Sequence, residues 1–407
     1  MKKAKLITLI LSLSSMAACQ SKDDIYVGPP DKDNDKVTDL VVPEGFDWEM
    51  SQDATLSIES GVKSIVDVFR SADCKAEDLI ATLNAPTEDV TLSIPVGTEK
   101  LYVQYTQTNG KKNVLPVALT ESRAETNKIG HAKLPEDAGE TKESGEGPVL
   151  YYPSNGWGTV LFEDNWPEMG DYDMNDFAVW YKIQQYITGP NETYAIMISV
   201  TMTAMGGSYP YQLCLGIDGL NINNIEECSD PYGQNSYKAT LSKSGDAILT
   251  YHWDGLKGSE GGSYYNTEDA YAPVDQAKLK KNQVSYIIYL EKNMKIFSHK
   301  DFDFFLKRKD NGAEIHLKGY KPSTGFMSTY NEITNSNSNL SNRQYYATTD
   351  GFVWGIKVPK GIGHPKEQID ITEAYSYFAD WVTSGGKSQT DWYNTAEEGK
   401  CVSVQIE

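Results

Sequence analysis

The sequence predicts a mainly β protein, a small antiparallel β-sandwich followed by a larger β-sandwich-like domain with few short helices. Three observations carry this prediction. Apolar and alternating runs of strand length recur along the 407 residues, and only one short stretch has helical spacing. Gly, Pro and Asn clusters separate these runs, as strand-to-strand turns require. Tyrosines number 26 against 11 phenylalanines, and aromatics with a polar tip suit half-exposed sheet faces.

The first eighteen residues read as an export signal. Lys2, Lys3 and Lys5 form a basic start, residues 6–13 are an apolar run, and small residues lead to Cys19. That run is about half of the ~20 residues needed to span a bilayer. Met16-Ala17-Ala18-Cys19 resembles the lipobox of bacterial lipoproteins, which implies a diacylated Cys19 as the first mature residue. Gln20-Ser21-Lys22-Asp23-Asp24 resembles the acidic tag that sends Bacteroidetes lipoproteins outward. The expected address is therefore the outer membrane, lipid-anchored and facing the cell exterior.

Residues 19–40 are polar and proline-bearing, the composition of a flexible tether. Residues 41–120 alternate over strand length at Thr55-Leu56-Ser57-Ile58, Ser64-Ile65-Val66-Asp67-Val68-Phe69, Val90-Thr91-Leu92-Ser93-Ile94 and Leu101-Tyr102-Val103-Gln104-Tyr105. Asn109-Gly110 is a hairpin-turn dipeptide. This segment is the expected small β-sandwich domain, residues 121–147 an acidic linker, and residues 148–407 the larger domain. Strands are expected there over 193–205 and 284–290, and one helix over 372–383, with Thr372 as cap and Ala374, Phe378 and Trp381 on one face.

With 57 acidic and 37 basic residues the chain has a net charge of −20. A general nucleic-acid binder is thereby disfavoured, because phosphate neutralisation is the main source of such affinity. Adhesion to anionic lipid through a basic patch is disfavoured as well.

The chemically densest segment runs from Phe162 to Phe177. Asp171, Asp173 and Asn175 stand two apart and Asp176 follows at once. That spacing lets oxygens converge on a hard divalent cation, which wants six to eight of them. A helix-loop-helix calcium site does not fit, since Asp176 stands where that loop needs glycine and Lys182 where it needs glutamate. Further ligands must come from elsewhere, and Glu163 and Asp164 are candidates because the turn from Pro167 to Gly170 brings them back. Calcium is the expected cofactor. A solvated turn whose Asp and Asn side chains cap backbone amides is the competing reading of the same residues.

Val160-Leu161-Phe162-Glu163-Asp164-Asn165-Trp166-Pro167 and Gly170-Asp171-Tyr172-Asp173-Met174-Asn175-Asp176 resemble the opening signature of the LruC domain. Gly312-Ala313-Glu314-Ile315-His316-Leu317, the strand from Gly351 to Pro359, and the stretch from Ile371 to Tyr393 resemble its later segments. Trp180 departs from the pattern, standing where the family more often has a small acidic residue. The resemblance implies a β-rich module of exported bacterial proteins with no established reaction.

Catalytic signatures are missing. The five histidines form no H-E-x-x-H pair, and His316 reads as a strand residue paired within a sheet. Gly386-Lys387-Ser388 fails as a phosphate loop because Trp381 occupies the first glycine position. No G-x-S-x-G elbow is present. Cys74, Cys214, Cys228 and Cys401 remain beside Cys19, and Cys214 and Cys228 flank a loop that a disulfide could staple; two buried free thiols are the alternative. Tyr209, Tyr211, Trp253, Tyr264 and Tyr265 offer either a carbohydrate platform or cover for sheet faces. The expected function is a lipid-anchored surface binding or adhesion protein, not an enzyme, whose partner is a glycan or a host or partner protein. The alternatives are a surface hydrolase acting on polysaccharide and a structural envelope component.

Overall fold

Alternating apolar residues pair the first seven strands around one core. The computed structural model describes residues 36–121, 127–141, 147–189, 191–207, 209–256, 264–267 and 275–406. The export signal, Cys19 and the start of the tether lie outside the described residues. Strands β1 (Ser51–Glu59), β2 (Ser64–Phe69), β3 (Leu79–Ala85), β4 (Thr87–Pro95), β5 (Lys100–Thr106), β6 (Lys112–Glu121) and β7 (Lys128–Lys133) form a ladder in the order β3-β2-β5-β6-β7-β1-β4. Leu56, Leu92, Val68, Leu83 and Val103 from its two ends share one buried cluster, so the ladder curls into a small sandwich. Asn109-Gly110 makes the β5–β6 turn, with Gly110 at φ 81°. Pairing is antiparallel except between β1 and β7.

Two expected boundaries move. Part of the expected linker is strand β7, held between β6 and β1, with Gly130 closely packed against Leu119 and Leu56. Residues 37–50, divided between the expected tether and the small sandwich, instead bury Val37, Phe46, Trp48 and Met50 against the carboxyl-terminal part of the chain. Strand β8 (Val149–Tyr152) then pairs with β3, and a single sheet therefore runs from the small sandwich into the larger one.

The larger sandwich has β9 (Gly158–Phe162), β10 (Phe177–Ile187), β11 (Glu192–Met205), β13 (Ile225–Ser229), β16 (Gln283–Lys295) and β19 (Gly355–Val358) on that sheet. The facing sheet runs β14 (Lys238–Leu241), β15 (Asp246–His252), β12 (Tyr211–Asn221), β17 (Phe302–Arg308), β18 (Glu314–His316). Between them Val160, Phe162, Val200, Leu215, Leu249 and Phe304 fill one core. Leu161, Ala178, Ala204 and Ile356 point the other way into a second core with the 37–50 arm. Both faces of the central sheet are covered, which is why Val160-Leu161-Phe162 is apolar without alternation.

Helix α1 (Met327–Ser336) was not expected. The expected 372–383 helix is two: α2 (Ile371–Ala374) and α3 (Phe378–Thr383). Asp370, not Thr372, caps the first by accepting the Thr372 amide. Gly385 and Gly386 follow α3 at φ 65° and 77°, the left-handed conformation that closes a helix.

Cys214 and Cys228 are free thiols, as are Cys74 and Cys401, which corrects the staple reading. Cys214 lies on β12 beside the Thr250 hydroxyl, and Cys228 lies on β13 in the other sheet. Tyr211, Trp253 and Tyr265 are buried in the sandwich core, so the aromatic set does not form a flat platform.

Candidate metal centre

The acidic loop is the connection between β9 and β10, which are antiparallel neighbours with Phe162 opposite Phe177. Glu163 and Asp164 leave the end of β9 while Asn175 and Asp176 lead into β10, so the sheet itself brings the two halves of the motif together. Between them the backbone turns left-handed at Tyr172 (φ 58°) and Met174 (φ 54°). Such φ values cost of order 1–3 kcal/mol at non-glycine residues and persist only where packing over-determines them. Here the packing is the second core, in which both side chains are buried. Asp171 and Asp173, alternating with these anchors, are left to converge with Glu163.

Oxygens of Glu163, Asp171 and Asp173 all lie within 4.8 Å of one another. Glu163 is fully buried; its Oε1 accepts the Met174 amide at 2.8 Å, while Oε2 has no hydrogen-bond partner. A Cβ at Gly170 would stand 1.7 Å from that Oε2, so only glycine leaves room for the carboxylate. Asp173 accepts the amides of Asn175 at 3.2 Å and of Gln368 at 2.8 Å. None of the strongest influences on Glu163 and Asp173 comes from a basic side chain.

The electrostatics follow. Burial, reinforced by the charge of Asp173, pushes Glu163 well above the usual carboxylate range. Burial and the neighbouring Asp171 push Asp173 up to about 7, against the pull of its two amides. Burial, then Glu163 and Asp164, push Asp176 up as well. A cation among them would offset the part of this rise that comes from their mutual charge.

The other named residues are engaged elsewhere in the turn. Asp164 Oδ2 accepts the Tyr209 amide at 3.0 Å and Asp176 Oδ2 the Asp164 amide at 2.8 Å. Asn175 Oδ1 is buried with no hydrogen-bond partner, and its amide nitrogen donates to the Pro365 carbonyl. Cβ atoms at Gly206 and Gly207 would stand 2.4 Å from Asn175 Oδ1 and 2.1 Å from Asp164 Oδ2. The six expected ligands thus divide into a converging set, Glu163, Asp171 and Asp173, and a supporting set, Asp164, Asn175 and Asp176. Gly170 was read in the sequence only as the end of a turn, and Gly206, Gly207 and Gln368 went unnoticed; Gly206-Gly207 directly after a long strand was the available signal. Trp180 is directed away, donating to the Ile362 carbonyl at 2.8 Å, and Lys182 lies over the Trp157 ring.

The donor set is all oxygen, anionic and partly orphaned, which suits a hard cation such as calcium better than a nitrogen- or sulfur-seeking metal.

No curated protein matches the chain. A crystal structure of a candidate lipoprotein from Bacteroides ovatus superposes with a TM-score of 0.66 at 19% identity, covering 84% of this chain and 99% of that one. At that identity the likeness is one of fold. Residues 191–393 match the model described as Domain of unknown function (DUF4842). The acidic loop precedes the matched stretch, and the LruC likeness of the separated motifs stays a resemblance.

Proposed function

We propose that the chain is a lipid-anchored protein of the bacterial cell surface, without catalytic activity, whose larger sandwich is organised by calcium. The observation that carries the calcium reading is the convergence of Glu163, Asp171 and Asp173 within 4.8 Å around a buried oxygen with no protein partner. Uncompensated buried carboxylates are costly, and a divalent ion answers that cost. The anchor reading rests on the apolar run, on the small residues before Cys19, and on the fold likeness to a candidate lipoprotein.

The test is thermal melting of the soluble chain without its export signal and anchor cysteine, residues 20–407, in chelator and in calcium. The whole chain is required, because the 37–50 arm belongs to the second core of the larger sandwich. A site present only in the folded state adds RT ln(1 + [L]/Kd), about 2.7 kcal/mol at a hundredfold over Kd. Extracellular sites bind at roughly 0.1–1 mM, so millimolar calcium is the concentration to use. Magnesium, which demands a tighter octahedron, stabilises less. Equal melting in chelator and calcium overturns the metal reading and leaves the capped turn. Replacing Cys19 by alanine leaves the protein unlipidated, and undiminished labelling with palmitate overturns the anchor.

A further inference from the structure

An antiparallel sheet with one face in a sandwich core ordinarily leaves the other to water. The outer face of the five-stranded sheet instead lines a cleft of about 1030 Å³, completed by parts of segments 45–49, 318–327 and 343–345. Register fixes its floor. Ile248, Gly216 and Asp303 stand side by side on β15, β12 and β17. In the next row Phe305 lies opposite His316, their rings stacked at 4.1 Å.

Glycine inside a strand weakens it, and often marks a place where something approaches the backbone closely. A Cβ at Gly216 would meet nothing nearer than 3.9 Å, and its φ is not positive. Neither packing nor backbone conformation requires glycine there. The missing side chain leaves an open slot between Ile248 and Asp303.

The carboxylate beside that slot is held in direction. Asp303 Oδ2 lies 2.7 Å from His316 Nδ1, and His316 Nε2 lies 3.3 Å from Glu314 Oε2. Glu314 in turn accepts from Lys307 at 2.9 Å and from the Ser323 hydroxyl and amide at 2.7 and 2.8 Å. His316 and Glu314 are buried, while the Asp303 side chain keeps 15% of its surface. Burying such an ionic network gains little stability over apolar packing, and a positioning role explains its presence. The remaining lining balances four carboxylates, Glu49 and Asp218 among them, against four cations, Lys300 and Arg343 among them. A cleft of no net sign does not select an ion. Tyr320 and Tyr345, both half-buried, add flat apolar faces.

We propose that this cleft binds a neutral oligosaccharide, with Asp303 accepting its hydroxyls over the Gly216 slot and Tyr320 and Tyr345 meeting its ring faces. Sugars combine hydroxyl edges with apolar faces, and the volume lies at the upper end of small-ligand sites. The proposal stands apart from the calcium reading, since no residue of the acidic loop lines the cleft.

The experiment presents the mature chain to immobilised neutral gluco-, manno-, galacto- and xylo-oligosaccharides, beside acidic oligosaccharides and the polyamine spermidine. One neutral class is expected to bind. Gly216→Leu should fill the slot and weaken that binding by about tenfold or more with the melting temperature unchanged. Gly216→Ala, whose Cβ fits at ordinary contact distance from Asp303, is the milder variant should leucine disturb folding, and Asp303→Asn should also weaken binding. Absence of binding across the neutral panel, binding indifferent to position 216 and to Asp303→Asn, or preference for spermidine or the acidic sugars overturns the proposal.

Discussion

The Gln368 amide donates a 2.8 Å hydrogen bond to Oδ2 of Asp173, joining the acidic loop to a segment 195 residues away. Three residues on, the Ile371 amide donates to the Tyr172 carbonyl at 2.8 Å. Asp370, between them, accepts the Val37 amide at 3.1 Å. The acidic loop, the 368–371 segment and the start of the amino-terminal arm therefore form one run of contacts.

Asp171 is the exposed member of the converging trio, and its charge raises both partners. Asp171→Asn removes that repulsion and also removes a calcium ligand. Opposite signs are expected: a higher melting temperature than wild type in chelator, and a calcium affinity weaker by about tenfold or more. Melting curves and calcium titrations of the same variant check both. A variant less stable than wild type in chelator would show that Asp171 serves the turn and not the cation.

The raised carboxylates set a pH dependence. Asp173 titrates at about 7 in the folded state against an ordinary 3.8. Its protonated form is favoured by folding, so the associated stability is complete below about pH 4 and is lost as pH rises through 7. Glu163, raised in the same direction, adds to the loss. In chelator the urea midpoint should fall between pH 4 and 7, and millimolar calcium should flatten or reverse that fall. A midpoint that rises over this range in chelator would contradict the buried-carboxylate account.

His316 and Glu314 give a second window. Burial opposes the His316 charge, but Asp303 and Glu314 outweigh it and raise the ring to about 9 from 6.5. Burial likewise opposes Glu314, yet His316, Ser323 and Lys307 hold it down to about 2 from 4.5. The stability linked to His316 is complete below about pH 6.5 and is lost as pH rises through 9. That linked to Glu314 is complete above about pH 4.5 and is lost as pH falls through 2. The network is therefore worth most between about pH 4.5 and 6.5. His316→Gln should lower stability by a few kcal/mol at pH 6, because it leaves Asp303 without its cationic partner and takes one of several partners from Glu314, and should shrink the wild-type loss between pH 7 and 9. Calcium should leave this second loss in place, and an NMR titration of the ring gives its midpoint directly.

Strands with period two were legible, since β1, β2, β4 and β5 bury alternate residues against one core. The convergence of Glu163 with Asp171 and Asp173 was legible too, because the intervening Pro167 and Gly170 signal a return of the chain. Contacts that depend on distant segments were not. Nothing local in Val149-Leu150 announces that it pairs with Ala81 and Thr82. Helix α1 reads Met-Ser-Thr-Tyr-Asn-Glu-Ile-Thr-Asn-Ser, weak helix formers apart from Met327 and Glu332, and Tyr330 on it stacks on Trp166 at 5.5 Å. The arm at 37–50 is short and mixes apolar with acidic residues without a strand or helix period, and only the tertiary setting shows that Phe46 and Trp48 belong to a core.

That arm supplies the last prediction. The Phe46 ring meets Trp381 edge-on at 5.0 Å, Trp48 meets Trp381 at 5.7 Å, and Trp48 Nε1 donates to the Gly351 carbonyl at 3.0 Å. Trp48 holds this position at φ 64°, a left-handed conformation maintained by its packing. Trp48→Ala removes the ring and its hydrogen bond and leaves a cavity, which costs about 3–5 kcal/mol for a buried tryptophan. The arm should then be cut by trypsin or chymotrypsin at sites in residues 36–50 that are protected in the wild-type mature chain. Asp370→Ala should act more locally, exposing the amides of Val37 and Thr372 to hydrogen exchange while the sandwich core stays protected. Because the acidic loop reaches the arm through Gln368 and Ile371, chelator should speed exchange at residues 37–40 in the wild type, and calcium should slow it. Exchange over 37–40 that is the same in chelator and calcium, in a protein shown to bind the ion, would break the link between the site and the arm.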